Sequence, residues 1–253
     1  MHPRFGGKNV VVTGGNSGIG LATAKAFAAE GAHVAIVGRN AKTLEEARTE
    51  IGGDTVAIQY DMADIAGLAG LVDQLVGALG RIDVLYANAG IASVAPFETV
   101  DEALWDSLFA INLKSNFFLV QKIAPHMPRG SAIVLCASLA GVRINPALSV
   151  YGITKAALRH LGRTLAAVLL PRGIRVNTVT PGLIATPLTS RTPGGGEDFG
   201  GDEILKSLTE LTPMKRAGSV EEAAQAVLYL ASDEAGYMLG QEIVIDGGVA
   251  SLG

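Results

Sequence analysis

Seven short apolar runs, at residues 9–13, 33–37, 55–59, 83–87, 132–137, 175–180 and 242–246, recur along the chain with helix-forming stretches between them. This alternation constrains the fold more than any other feature. Several runs are apolar at nearly every position, as in Val10-Val11-Val12 and Ile133-Val134-Leu135. A strand buried on both faces reads this way, and such strands belong to parallel sheets covered by helices. The intervening residues 20–30, 43–51, 65–79, 102–126, 151–170 and 220–230 carry apolar side chains at helical spacing. Gly31 and Pro171 stand where two of these helices should stop, and Ser219 with Glu222 forms a capping-box pattern at the start of the last. The expected fold is α/β: a Rossmann-type, doubly wound parallel sheet of seven strands with helices on both faces. It occupies one domain over residues 1–253. Residues 186–213 break the rhythm with Thr192-Pro193-Gly194-Gly195-Gly196 and Gly200-Gly201, and predict a flexible substrate lid.

Composition narrows the function. The chain has 253 residues, 49% of them hydrophobic, which suits a large core and excludes intrinsic disorder. Its one cysteine, Cys136, rules out an internal disulfide framework, and the thiol reads as a buried core residue. The four histidines are scattered with no two at ligand spacing, so no metal site is expected. The net charge is -4 and no basic stripe is visible, so no nucleic-acid partner is expected. Arg4 and Lys8 precede an uncharged stretch, but Gly14, Gly15, Gly18 and Gly20 interrupt it, unlike a signal peptide. No run reaches the roughly 18 apolar residues of a membrane span. A soluble, cytoplasmic protein is expected.

After the first strand comes Thr13-Gly14-Gly15-Asn16-Ser17-Gly18-Ile19-Gly20, followed by a helix. Glycines at a strand-to-helix turn let the backbone approach a pyrophosphate, and the helix N-terminus offers N–H groups and a positive dipole end. Downstream lie Asp61, Asn88-Ala89-Gly90, Asn112, Ser138, Tyr151, Lys155, Pro181-Gly182 and Asp246-Gly247-Gly248. Tyr151 and Lys155, at i and i+4, share one helix face. An ammonium beside a phenol favours the phenolate, which suits a group that both gives and takes protons.

The spacing Gly-x-x-x-Gly-x-Gly behind a threonine, with the later motifs in order, resembles the short-chain dehydrogenase/reductase family over essentially the whole chain. The resemblance implies an NAD(P)-dependent oxidoreductase that moves a hydride between the cofactor and a small-molecule ketone or secondary alcohol. Tyr151 would be the general acid for reduction and the base for oxidation. Lys155 would assist it and hold the nicotinamide ribose, and Ser138 would bond the substrate oxygen. Asn112 would hold a water linking Lys155 to solvent. For the cofactor, the resemblance implies contacts from Gly14, Asn16, Ser17, Gly18, Ile19 and Gly20 at the turn, and from Asp61 and Met62 at the adenine. Asn88, Ala89 and Gly90 would lie along the ribose, and Pro181, Gly182, Ile184 and Thr186 beside the nicotinamide, with Tyr151 and Lys155.

The second strand ends Val37-Gly38-Arg39 with no carboxylate, so NADP(H) is favoured through Arg39, with NAD(H) possible. The Asp246-Gly247-Gly248 tail resembles the family's tetramer-contact region and implies a homotetramer. Alternatives stay open at this stage: a 3-oxoacyl-thioester reductase, or a non-redox or non-catalytic dinucleotide-binding relative.

Overall fold

The computed structural model describes residues 3–186, 206 and 208–252. Seven strands form one sheet: β1 (Asn9–Thr13), β2 (His33–Gly38), β3 (Val56–Gln59), β4 (Val84–Ala87), β5 (Ala132–Cys136), β6 (Arg175–Pro181) and β7 (Glu242–Ile245). Their order is β3-β2-β1-β4-β5-β6-β7, and every neighbouring pair is parallel. The crossovers supply α1 (Gly18–Ala29), α2 (Ala41–Ile51), α3 (Leu68–Leu79), α4 (Glu102–Phe109), α5 (Ser115–Ile123), α6 (Ser149–Leu169) and α7 (Val220–Ala231), and α8 (Val249–Leu252) follows β7. The α/β reading and its seven strands therefore hold, with boundaries within about two residues.

Successive side chains of a strand point to opposite faces, and the central strands show why they are apolar throughout. Val11, Leu85, Ile133 and Val176 face one core, which α3, α5 and α6 cover. Val10, Val12, Tyr86, Val134 and Val179 face the other, which α1 and α7 cover. Each core closes only because the sheet has a helix layer on both sides.

The stretch 102–126, expected as one helix, is divided. Between α4 and α5 the backbone widens into a π turn at Ala110–Lys114, and Ala124–His126 ends as a 3-10 turn. Side chains in the first turn of α5 supply donors to its carbonyls. Ser115 Oγ donates to the carbonyl of Ile111 at 2.6 Å, and Asn116 Nδ2 donates to that of Asn112 at 2.9 Å. Such bonds compete with the regular ladder, and π turns of this kind concentrate at functional sites. The expected lid at 186–213 falls mainly on residues outside those described.

Tyr86 lies wholly within the second core, and among the described residues its hydroxyl has no hydrogen-bond partner. Burial, with the Cys136 thiol beside it, pushes its ionisation well above that of a free phenol, so it stays neutral. A buried hydroxyl without a partner carries a desolvation cost that a phenylalanine would not. Tyr86→Phe should therefore leave stability unchanged or raise it by up to about 1 kcal/mol, a gain of roughly 2–4 °C in Tm for a chain of this size. A calorimetric loss above about 1 kcal/mol would show that the hydroxyl is paired in solution.

Candidate active site

The sheet order sends the chain out of β1 on one side to β2 and on the other to β4. In open α/β sheets the crevice at such a reversal, beyond the carboxyl ends of the strands, is where ligands bind. The glycine turn leaves β1 at this point. Thr13 Oγ1 accepts the N–H groups of both Asn88 and Ala89 at 3.0 Å, and Asn88 Nδ2 donates back to the carbonyls of Thr13 at 3.0 Å and Gly14 at 3.3 Å. Thus Asn88, expected along the ribose, braces the glycine turn with its side chain. Thr13, which sequence reasoning treated only as a motif marker, is the acceptor at the centre of the brace.

The glycines themselves are steric requirements. A Cβ on Gly20 would stand 2.1 Å from the Gly14 carbonyl oxygen and 2.6 Å from Asn88 Nδ2. Gly14 and Gly18 have φ of 65° and 52°, in the left-handed region that glycine tolerates. Helix α1 begins with no side-chain cap, because Ser17 forms no capping bond. Its first N–H groups are left for another acceptor. A bare backbone turn against an uncapped helix N-terminus fits a pyrophosphate, and thus a dinucleotide.

Beyond the ends of β2 and β3 an open cleft of about 600 Å³ is lined by Arg39, Asn40, Gln59, Tyr60, Asp61 and Asp64. Gln59 Nε2 donates to the Arg39 carbonyl at 3.1 Å, which fixes the backbone there while the Arg39 side chain reaches solvent. Asp61 Oδ1 accepts the Ala63 N–H at 2.9 Å, and Met62 is buried. The Tyr60 hydroxyl donates to the Asp64 carbonyl, and burial together with Asp64 and Asp61 pushes its ionisation up to about 12. The cleft therefore holds one cation, two carboxylates and a neutral phenol. Asn16 bonds Thr43 Oγ1 at 2.8 Å and presses on Gly38, whose Cβ would meet Asn16 Oδ1 at 2.6 Å.

The second half of the crevice is built on α6. Tyr151 and Lys155 lie one turn apart there, with Lys155 Nζ 5.7 Å from the centroid of the Tyr151 ring. Lys155 is buried and donates to the Cys136 carbonyl at 2.8 Å. That carbonyl ends β5, so the ammonium is tied to the strand that delivers Ser138. Ser138 opens a 3-10 turn at Leu139–Gly141, and its Oγ accepts the Ala140 N–H at 3.2 Å. Two glycines set this turn against the helix. A Cβ on Gly141 would meet the Ala156 nitrogen at 2.7 Å, and one on Gly152 the Ala140 oxygen at 2.8 Å.

Asn112 sits fully buried in the π turn. Its Oδ1 accepts the Ile91 N–H at 2.9 Å, while its Nδ2 donates to the Ile91 carbonyl at 2.9 Å and to Thr154 Oγ1 at 3.1 Å. Both amide hydrogens are thus spent on fixing the loop after β4 to α6, a bracing role the sequence did not suggest. For a relay water, Asn112 has acceptor capacity alone. Gly90 packs close to the same groups: a Cβ there would lie 3.1 Å from Asn112 Oδ1 and 3.4 Å from Lys155 Nζ. On the far side of the crevice, Pro181 ends β6, Gly182 packs on Asp246, and Ile184 pairs with Gly218 in a parallel bridge. Thr186 is the last of the expected residues, at the edge of the described chain.

A family model described as enoyl-(acyl carrier protein) reductase matches residues 14–250. The chain belongs to the short-chain dehydrogenase/reductase family. It is 37% identical over 255 residues to an NADP-dependent (R)-specific alcohol dehydrogenase of Lentilactobacillus kefiri, covering 98% of each chain. It is 37% identical over 251 residues to a 3-oxoacyl-[acyl-carrier-protein] reductase of Thermotoga maritima, covering 97% of this chain and 99% of that one. A solved short-chain dehydrogenase from Burkholderia cenocepacia, in complex with NADP, superimposes with a TM-score of 0.89 at 32% identity over 98% of this chain and 100% of that one. This family member is an NAD(P)-dependent oxidoreductase. Among the described residues, no helix is long and apolar enough to cross a membrane.

The glycine turn supplies a direct check. Gly20→Ala forces a methyl group against the Gly14 backbone, which no side-chain rotation relieves. Overpacking of this kind costs about 1–3 kcal/mol, so the dinucleotide dissociation constant should rise roughly 5- to 150-fold by calorimetric titration. Binding at wild-type strength would remove the cofactor from this turn.

Proposed function

We propose that Tyr151 and Ser138 carry out the interconversion of a ketone and a secondary alcohol, with Lys155 and Asn112 supporting them. The observation that carries this reading is the buried Lys155 ammonium, held by the Cys136 carbonyl and set beside the Tyr151 ring. Burying an ammonium is costly unless it is bonded, so a lysine kept there has a task that repays its desolvation. When bound, the nicotinamide supplies or accepts the hydride. The substrate oxygen would lie between Ser138 Oγ and Tyr151 Oη. Ser138 donates to it as negative charge develops, and Tyr151 delivers the proton that completes the alcohol. In the oxidative direction Tyr151 Oη removes that proton. Lys155 favours the phenolate left behind and donates to the nicotinamide ribose. A water that donates to Asn112 Oδ1 would return the proton to Tyr151 through Lys155.

The remaining cofactor contacts follow the cleft. The turn from Gly14 to Gly20 takes the pyrophosphate. Asp61 and Met62 take the adenine, Ala89 and Gly90 the ribose, and Pro181, Gly182, Ile184 and Thr186 the nicotinamide. One domain spanning residues 1–253 holds all of these. The substrate is a neutral carbonyl or alcohol rather than a carrier-bound thioester. The loops around Ser138 offer Val142 and Ile144, both exposed and apolar, and one cation, Arg143, which is engaged with the Val249 carbonyl at 2.7 Å. The protein works in the cytoplasm as a homotetramer. Trp105 on α4, Phe117 on α5 and Ile153 on α6 expose apolar side chains that a subunit contact would cover.

Tyr151→Phe tests the chemistry. It should lower kcat by at least the roughly 10²–10⁴-fold of a general acid while cofactor affinity stays within about threefold. Retention of more than about a tenth of wild-type kcat would exclude Tyr151 as the acid.

NADP(H) is the preferred cofactor, through Arg39. The strand end at Gly38 has no carboxylate to repel a 2′-phosphate, and a guanidinium takes phosphate in a bidentate fork. Asp61 and Asp64 in the same cleft temper this attraction. The ratio of kcat/KM for NADPH over NADH should be at least about tenfold, equivalent to about 1.4 kcal/mol. Arg39→Ala should abolish most of that ratio. This variant is cleaner than Gly38→Asp, whose Cβ would displace Asn16. A wild type that favours NADH refutes the assignment.

A further inference from the structure

Tyr151, Lys155 and Arg159 follow one another at four-residue intervals on α6 and therefore share one face. The first two belong to the proposed chemistry. The third makes three hydrogen bonds that lead back to it. Arg159 Nε and Nη2 take both oxygens of Glu242 on β7, at 2.6 and 2.7 Å. Its Nη1 donates to the Gly141 carbonyl at 2.9 Å, at the end of the turn that Ser138 opens. Glu242 Oε1 accepts in addition from Thr180 Oγ1 at 2.5 Å, one residue before Pro181-Gly182. We infer that Arg159 is a positioning residue, which locks the Ser138 turn to the catalytic helix and, through Glu242, to the strand ends beside the nicotinamide site.

Three observations favour this over a simple surface ion pair. The pair is largely enclosed, with side-chain exposures of 23% and 18%. Each partner is held in its charged form. The bond from Arg159, with help from Thr180, outweighs the burial that would otherwise raise the Glu242 carboxyl, and Glu242 in turn raises Arg159. The geometry also uses the planar fork. Two nitrogens fix the guanidinium plane on the carboxylate, and the third then has one direction left, which is the Gly141 carbonyl. Gly141 is already pressed onto α6, with its would-be Cβ 2.7 Å from the carbonyl carbon of Lys155. The Arg159 bond holds the other side of the same peptide. The Ser138 hydroxyl is thereby kept at one height along α6 relative to Tyr151, which transition-state stabilisation by a hydrogen bond requires.

A lysine at 159 separates the functions, because its point charge can satisfy Glu242 without the fork that reaches Gly141. The test combines amide exchange with kinetics on Arg159→Lys, Arg159→Met and Glu242→Gln. Arg159→Lys should speed exchange of the Gly141, Val142 and Arg143 amides, which bond back to Ser138 and Leu139, by at least about tenfold, with the β1 and β4 amides unchanged. In the same variant kcat should fall by about tenfold while cofactor affinity moves by less than about threefold. The effect should largely vanish in a Ser138→Ala background, since a residue acting through Ser138 has nothing left to position, and the remaining cost should be under about twofold. Unchanged exchange at those three amides overturns the inference. So does an equal kinetic penalty with and without Ser138. Should Arg159→Met fail to fold, the lysine and glutamine variants still decide. The kinetic arm rests on the dehydrogenase reading. A wild type that reduces no carbonyl with either cofactor refutes that reading, and the exchange arm then decides the clamp alone.

Discussion

Every functional loop of this chain lies at one edge because all seven strands run the same way. A parallel pair cannot be joined by a hairpin, so each connection must return across a face of the sheet. The helices that do so cover both faces, and burial on both faces is what holds the sheet together. The carboxyl ends of β1, β4, β5 and β6 then carry the glycine turn, the Asn88 brace, the Ser138 turn and Pro181-Gly182 respectively. The reversal of strand order at β1 opens the crevice between the first two. The site is thus a consequence of how the core closes.

Within that frame, α6 acts as the ruler of the crevice. Its buried face supplies Thr154, Lys155 and Leu158 to the interior, and its 21 residues give it enough contact to stay fixed. Each side of the crevice is referred to it by a specific bond. Asn112 reaches Thr154, and the Thr154 hydroxyl donates to the Tyr151 carbonyl at 2.7 Å. Lys155 holds the end of β5, and Arg159 holds the turn beyond it. Gly141 and Gly152 allow the turn to approach because neither has a side chain to interpose. The polar groups here are nearly all paired, so their energetic contribution is mainly directional: each bond removes an alternative position for the loop.

Much of this is legible in the amino-acid sequence. The alternation of apolar runs and helical stretches gave all seven strands and the covering helices, because burial on two faces leaves a composition signature that burial on one does not. The capping box at Ser219 and Glu222 was readable for a similar reason. It depends on a three-residue spacing, and both reciprocal bonds are present, at 3.1 and 2.8 Å. Tyr151 and Lys155 were readable as a pair because helical periodicity alone puts them side by side. The π turn at Ala110–Lys114 was not, since the residues around it have ordinary helical character and the two side chains that turn back on its carbonyls follow no spacing that marks a widened turn.

The sequence by itself determined the class of fold, the helix face shared by Tyr151 and Lys155, and the bare glycine turn after β1. These depend on local spacing and on side-chain size, which the chain states directly. Tertiary structure decided which distant groups meet. Thr13 and Asn88 stand 75 residues apart, Asn112 and Thr154 stand 42 apart, and Arg159 and Glu242 stand 83 apart. No periodicity links such pairs, because their separation is set by the strand order and by the depth at which each helix packs. Asparagine at 112 and glutamate at 242 acquire their roles only when the closed core brings their partners within reach.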